Sequence, residues 1–179
     1  SIDAQSNSIE INIDNGGIDL ILVKDNGIGI PSNQIELAFK RHATSKISTM
    51  NDLDKISTLG FRGEALPSIA SISEVIFKSK HSTDKIGLEI KMISGKEIYC
   101  RPSNIEHGTM IEIKNIFNNV PARKKFLKSE NYEYRKILKL FKNFSICHYD
   151  KDLKLINNSK IVYHLKAESM IDRINNIYK

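Results

Sequence analysis

Apolar and polar positions alternate near the start of the chain. Ile9, Ile11 and Ile13 are separated by polar residues, Asn15-Gly16-Gly17 has turn chemistry, and Ile18 to Lys24 is a second apolar run. A period of two on either side of a glycine turn predicts an antiparallel hairpin. The period then lengthens: Pro31 and Ser32 are helix-start residues, and Ile35, Ala38 and Phe39 recur on one helical face, so a helix of two to three turns is expected. Residues 42–51 have little periodicity and read as a loop, 52–56 as a short helical piece, and Glu64 to Ile72 as another helix. Glu74 to Lys80, Ile86 to Ile93, Glu97 to Arg101 and Thr109 to Ile116 read as strands joined by turns at Ser94-Gly95-Lys96 and His107-Gly108, which predicts a β-meander. Ile137, Leu138, Phe141, Phe144 and Ile146 mark an amphipathic helix over Tyr134 to Tyr149, with lysines 136, 139 and 142 as its polar stripe. Leu153 to Ile156 and Ile161 to Leu165 flank an Asn157-Asn158-Ser159 turn, and Ser169 is placed to cap a last helix. Helices and strands in mixed order with hairpin connections predict an α+β fold: helices layered over a mostly antiparallel mixed β-sheet.

Composition narrows the class. With 179 residues, 40% hydrophobic and 27% charged, four prolines and nine glycines, the chain is neither disordered, collagenous nor a disulfide scaffold. No apolar run approaches a membrane span, so no membrane association is expected. Cys100 and Cys147 are far apart with no C-x-x-C, which points to reduced thiols and a cytoplasmic setting. The five histidines, His42, His81, His107, His148 and His164, have no metal-cage spacing. Ser1-Ile2-Asp3-Ala4 has no initiator Met and no leader pattern, so a fragment of a longer chain is expected. The formal charge of +6 favours polyanionic partners. The excess is concentrated in Arg123 to Lys142, where Arg123, Lys124, Lys125, Lys128, Arg135, Lys136, Lys139 and Lys142 face only Glu130 and Glu133. Such a stripe suits sequence-independent contact with DNA phosphates, and equally an ordinary solvated helix face.

Three segments have residues suited to nucleotide chemistry. Asp25-Asn26-Gly27-Ile28-Gly29-Ile30 leaves an apolar strand with a carboxylate that can accept from an exocyclic amine, beside glycines that let a ligand approach; an Asx turn explains the same residues. Leu59-Gly60-Phe61-Arg62-Gly63-Glu64-Ala65-Leu66 is a loop with two glycines opening a helix, where free amides hold phosphate oxygens; the alternative is a plain helix entry. Arg41-His42-Ala43-Thr44-Ser45-Lys46 offers hydroxyls and an ammonium on a loop, a lid candidate or a solvated polar loop. Neither a Walker A loop nor G-x-G-x-x-G is present.

In order and spacing, D-N-G-x-G-I, R-H-A-T-S-K-I, L-G-F-R-G-E-A-L, Gly108-Thr109 and N-x-P-A-R-x-K-F-L resemble the MutL family of DNA mismatch-repair ATPases over essentially the whole chain. That family belongs to the GHKL superfamily of gyrase-type topoisomerases, heat-shock chaperone ATPases and histidine kinases. The resemblance implies a GHKL (Bergerat-type) ATPase sandwich over residues 1–167, with 168–179 beginning a second, transducer-like domain. It implies ATP and Mg2+ as cofactors. Asp25 would take the adenine amine within the D-N-G-x-G motif, so that Asn26 joins the site, with Gly27, Gly29 and Thr109 completing the base pocket. Thr44, Ser45 and Lys46 would belong to the lid, and Gly60, Phe61, Arg62, Gly63, Glu64, Ala65 and Leu66 would wrap the phosphates. Val120 replaces the threonine common in the family's N-x-P-A-R segment.

In the family a helix with E-L-x-E-N-S-x-D-A supplies a general-base Glu and an Mg2+-binding Asn, and Ser1-Ile2-Asp3-Ala4 matches only its end. No catalytic or metal residue is therefore expected in this chain; both groups are expected upstream of Ser1, and the chain alone is expected to be inactive. The resemblance further implies DNA binding, placed on Arg123, Lys124, Lys125 and Lys128, a MutS-type mismatch-recognition partner, a downstream repair nuclease or helicase, and ATP-dependent homodimerisation. The setting would be cytoplasmic, nucleoid-associated in a bacterium. The alternatives are a non-catalytic DNA-binding scaffold of the same fold and a topoisomerase-type ATPase.

Overall fold

The computed structural model describes residues 1–40 and 63–178. Its centre is one mixed sheet built from β1 (Ser8–Asp14), β2 (Leu20–Asp25), β3 (Glu74–Lys80), β4 (Gly87–Ile93), β5 (Lys96–Ser103), β6 (Gly108–Lys114), β7 (Asp152–Asn157) and β8 (Lys160–Leu165). The strand order is β5-β4-β3-β6-β2-β1-β7-β8. Every neighbouring pair is antiparallel except β1 with β7, whose parallel register sets Ile9 against Leu153 and Ile11 against Leu155. Parallel strands need a crossover. Here it includes the long helix α3 (Glu130–Cys147), which starts four residues earlier than its apolar periodicity alone marks. The other α-helices among the described residues are α1 (Ala65–Ser71), α2 (Pro121–Lys124) and α4 (Met170–Tyr178). The predicted α+β layering is therefore present.

Alternation along the strands decides which face the helices cover. Ile9, Leu153, Leu155 and Leu165 from the sheet pack with Phe141 of α3 and Ile177 of α4. Val75, Phe77, Ile90 and Met92 pack with Ile35 and with Ala70 of α1. Ile111, from the second cluster, lies opposite Val23, from the first, so both clusters occupy one face of the sheet. The other face is lined with ion pairs, among them Lys154–Glu10 at 3.0 Å and Lys91–Glu74 at 2.7 Å.

Two local expectations are corrected. After Pro31 there are two 3-10 turns, Ser32–Gln34 and Leu37–Phe39, in place of one helix. The amides of Gln34, Ala38 and Phe39 reach back only three residues, and Ile35 (fully buried) and Phe39 (edge-on to Phe77, centroids 5.5 Å apart) anchor the segment. In so short a segment tertiary anchoring overrides the helical period. The four strands β3 to β6 also do not form a simple meander. β6 leaves β5 and inserts between β3 and β2, because Ile111 and Ile113 need cover on both sides while β5, with Pro102 and a mostly exposed surface, suits the sheet edge. The predicted lid loop and the short helical piece at 52–56 lie outside the described residues. Among the described residues no helix is long and apolar enough to cross a membrane.

Candidate nucleotide-binding site

Three side chains form a row across the middle of the sheet. Asp25 ends β2, Thr109, the second residue of β6, lies directly opposite it, and Ser79, near the end of β3, faces Thr109 from the other side. Each has the same parity as the inward apolar residues of its strand: Val23 for Asp25, Ile111 for Thr109 and Phe77 for Ser79. The row therefore lies on the helix-covered face at one end of the sheet. Asp25 is buried, and its carboxylate accepts the Gly27 amide at 2.9 Å on Oδ1 and the Ser1 hydroxyl at 2.6 Å on Oδ2. The Asx-turn geometry is thus real, and it fixes the carboxylate rather than merely turning the chain. Ser79 is fully buried; its Oγ donates to the Gly108 carbonyl, accepts from the Ile30 amide and meets Thr109 Oγ1, each at 2.9 Å.

The glycines around this row have steric reasons. Gly29 has φ +72°, and a Cβ there would stand 2.1 Å from the Lys80 carbonyl oxygen; Gly108 has φ +118°, and a Cβ would stand 2.1 Å from the Asp25 carbonyl oxygen. Both positions exclude side chains where the segment after β2 crosses the ends of β3 and β6. At Ile28 the amide donates to the Ala4 carbonyl at 2.9 Å, which ties the Ile2–Ala4 turn to the same segment.

The structure separates other expected site residues from the row. Asn26 turns its side chain away, accepting from the Asn7 and Ser8 amides at 3.1 and 3.0 Å and donating to Asn7 Oδ1 at 2.6 Å, so it clamps the start of β1. Gly63 has a positive φ of 65°, Glu64 precedes α1 as its exposed N-cap, and Ala65 begins the helix. Leu66, partly buried, packs its side chain against the same apolar cluster as Ile30. Thr44, Ser45, Lys46, Gly60, Phe61 and Arg62 lie outside the described residues. Arg123, Lys124, Lys125 and Lys128 are all exposed, on α2 and the segment that follows it. Ser79 escaped the motif reading. Its signal was a hydroxyl at the inward parity of Val75 and Phe77, where alternation calls for an apolar residue.

A second charged cluster stands on the opposite face. Glu89 is buried between Lys78 Nζ at 2.7 Å, the Tyr99 hydroxyl at 2.8 Å and Arg101 Nη2 at 2.7 Å, with the Arg101 guanidinium 4.5 Å from the Tyr99 ring centroid. Burial by itself would raise the Glu89 carboxyl, but hydrogen bonds from Lys78, Tyr99 and Arg101 outweigh it and hold the pKa at about 2. Burial pushes the Cys100 thiol up, which makes it a poor nucleophile.

Residues 1–117 match the family described as histidine kinase-, DNA gyrase B-, and HSP90-like ATPase. The DNA mismatch repair protein MutL of Clostridium acetobutylicum is 45% identical over 179 residues, 99% of this chain. The chain belongs to that ATPase family, in its MutL branch. The MutL of Neisseria meningitidis serogroup C is 43% identical over 176 residues, and the chain spans 29% and 26% of the length of these two relatives. The solved MutL ATPase domain of Aquifex aeolicus complexed with ADP has 30% identity and a TM-score of 0.78, covering 99% of this chain and 63% of that one. The N-terminal domain of a DNA repair protein gives a TM-score of 0.81 at 26% identity, with 99% and 53% covered. The fold is thus that of a MutL-type N-terminal ATPase domain, helices on a mixed sheet.

The donor set around the row fits the base of a nucleotide: a fixed carboxylate, a hydroxyl and close-approach glycines. It does not fit a metal. Among the described residues no group of three or more His, Cys, Asp or Glu side chains could hold one.

Proposed function

We propose that this chain binds ATP, with Asp25 accepting the exocyclic amine of adenine, Thr109 beside it and Gly27 and Gly29 giving the ring room. The observation that supports this most is the buried Asp25 carboxylate, fixed by the Gly27 amide at 2.9 Å on the inward row of an ATPase-family sheet. The segment from Gly60 to Leu66 supplies backbone amides for the phosphates, and Thr44, Ser45 and Lys46 close over them. In the full-length protein, hydrolysis draws its general-base Glu and its Mg2+-binding Asn from the segment preceding Ser1.

Nucleotide occupancy then acts as a switch: closing the lid residues favours one conformation, in which two copies of the domain pair. DNA, a MutS-type protein and a downstream repair nuclease or helicase are the partners this reading assigns to the whole protein, which works in the cytoplasm. Exposed Arg123, Lys124, Lys125 and Lys128 bind the DNA phosphates. Calorimetric titration of the full-length protein with ATP tests the reading. Asp25→Asn, which sets an amide donor against the adenine amine, is expected to weaken binding by about 10- to 100-fold, the loss of one charge-assisted hydrogen bond. Unchanged affinity in the variant would overturn it.

A further inference from the structure

Ser79 takes part in three hydrogen bonds with a hydroxyl that has a single proton, and that arithmetic reaches Thr109. A carbonyl oxygen only accepts, so the Ser79 proton goes to the Gly108 oxygen at 2.9 Å. An amide only donates, so the Ile30 N–H, also at 2.9 Å, uses one Ser79 lone pair. The remaining bond, Ser79 Oγ to Thr109 Oγ1 at 2.9 Å, has no proton left from Ser79 and must be donated by Thr109. Ser79 is fully buried, so no solvent competes for these positions. Thr109 thereby spends its only proton inside the sheet and keeps only lone pairs for a ligand.

Resting on the ATP reading above, we propose that Ser79 is a specificity-determining positioning residue: by holding the Thr109 hydroxyl as a pure acceptor, it makes the Asp25–Thr109 row accept only. An acceptor-only row suits a purine bearing a 6-amino group and opposes one bearing a 6-oxo group, whose oxygen would meet lone pairs. Asp25 supplies this bias directly, and Ser79 extends it to the second group of the row. Ser79 touches no ligand atom. It acts by fixing which way a neighbouring hydroxyl points, and at the same time ties the ends of β3 and β6 to the Ile30 segment.

The test compares ATP with ITP, its 6-oxo analogue, by calorimetric titration of the full-length protein and its variants. The wild type is expected to prefer ATP. In Ser79→Ala the freed Thr109 hydroxyl can rotate and donate to the oxo group, so the ATP:ITP preference is expected to fall about fivefold, the worth of one hydrogen bond. Ser79→Thr, which keeps the hydroxyl, is expected to restore it. Ser79→Cys keeps the volume with only a weak hydrogen-bonding group, and reads the same change where alanine fails to fold. In a Thr109→Val background, removing the Ser79 hydroxyl is expected to leave the ratio unchanged, because the effect passes through Thr109; a purely structural role would not depend on that background. A wild type that prefers ATP together with folded Ser79→Ala and Ser79→Cys variants at the same ratio overturns the proposal and leaves the ATP reading standing. A wild type that binds neither triphosphate overturns both.

Discussion

Gly29 shows how much a single missing side chain contributes to this site. Its φ of +72° costs a non-glycine residue about 1–2 kcal/mol, and the Lys80 carbonyl oxygen 2.1 Å from the would-be Cβ forces the backbone to move as well. Gly29→Ala is therefore expected to destabilise the protein by at least about 2 kcal/mol, read as a lower denaturant midpoint at unchanged slope. Glu89 gives a prediction of a different kind. Its folded pKa, about 2, lies below the ordinary carboxylate value of 4.5. The stability it contributes is present above pH 4.5 and disappears as the pH falls through about 2. Glu89→Gln is expected to lower stability at pH 7 by about 2 kcal/mol, the scale of hydrogen bonds to a charged group, and to flatten the loss of stability between pH 4.5 and 2. Chemical denaturation at pH 7, 4.5 and 3 checks both. An equal acid loss in variant and wild type would remove Glu89 as its source.

At the scale of elements, α4 depends on one buried cation. Ser169 caps it, accepting the Asp172 amide at 3.2 Å as the sequence predicts. Besides Ile177 in the apolar core, Arg173 attaches it to the domain: it is fully buried, and its guanidinium donates to the carbonyls of Ser145, Tyr149, Lys151 and Lys166 and to Glu168 Oε1 at 2.7–3.0 Å. The first three of these carbonyls lie at and just beyond the C-terminal end of α3, where a positive charge is favoured. Arg173→Met keeps the bulk, removes the donors and leaves four carbonyls and a carboxylate short of partners. It is expected to cost about 3 kcal/mol and to speed amide exchange in α4 ahead of the strands. Exchange in α4 no faster than in β1 would show that apolar packing, such as that of Ile177, suffices to hold it.

Over the whole molecule the unevenness of charge matters more than its sum of +6. Arg123, Lys124, Lys125 and Lys128 are exposed together with Phe126, which is 80% accessible, so this corner offers cations that few acids neutralise. If it binds DNA, replacing Lys124, Lys125 and Lys128 by Glu should weaken binding at every sequence alike and flatten the salt dependence by roughly 0.9 in log–log slope for each phosphate left without its cation. Fluorescence anisotropy of labelled duplex DNA at several salt concentrations measures both. An unchanged slope would return the stripe to ordinary solvated surface.

Sequence alone determined what rests on local periodicity and short motifs. The β1–β2 hairpin, the runs of β3, β4, β7 and β8, the body of α3 and the Ser169 cap follow from spacing two, spacing 3.6 and capping chemistry, and the D-N-G-x-G and G-F-R-G-E-A-L segments by themselves point to the ATPase family. What periodicity cannot encode is which strand lies next to which, because pairing partners are distant in the chain and are chosen by mutual burial. Only the tertiary structure inserted β6 between β3 and β2, made β1 and β7 parallel and wound Ser32 to Phe39 into 3-10 turns. The same placement brought Ser79 beside Thr109 and Asp25, and turned Asn26 and the Leu66 side chain to structural duty. A motif names residue types in order along the chain. Hydrogen bonds across a sheet decide which of them face the same ligand.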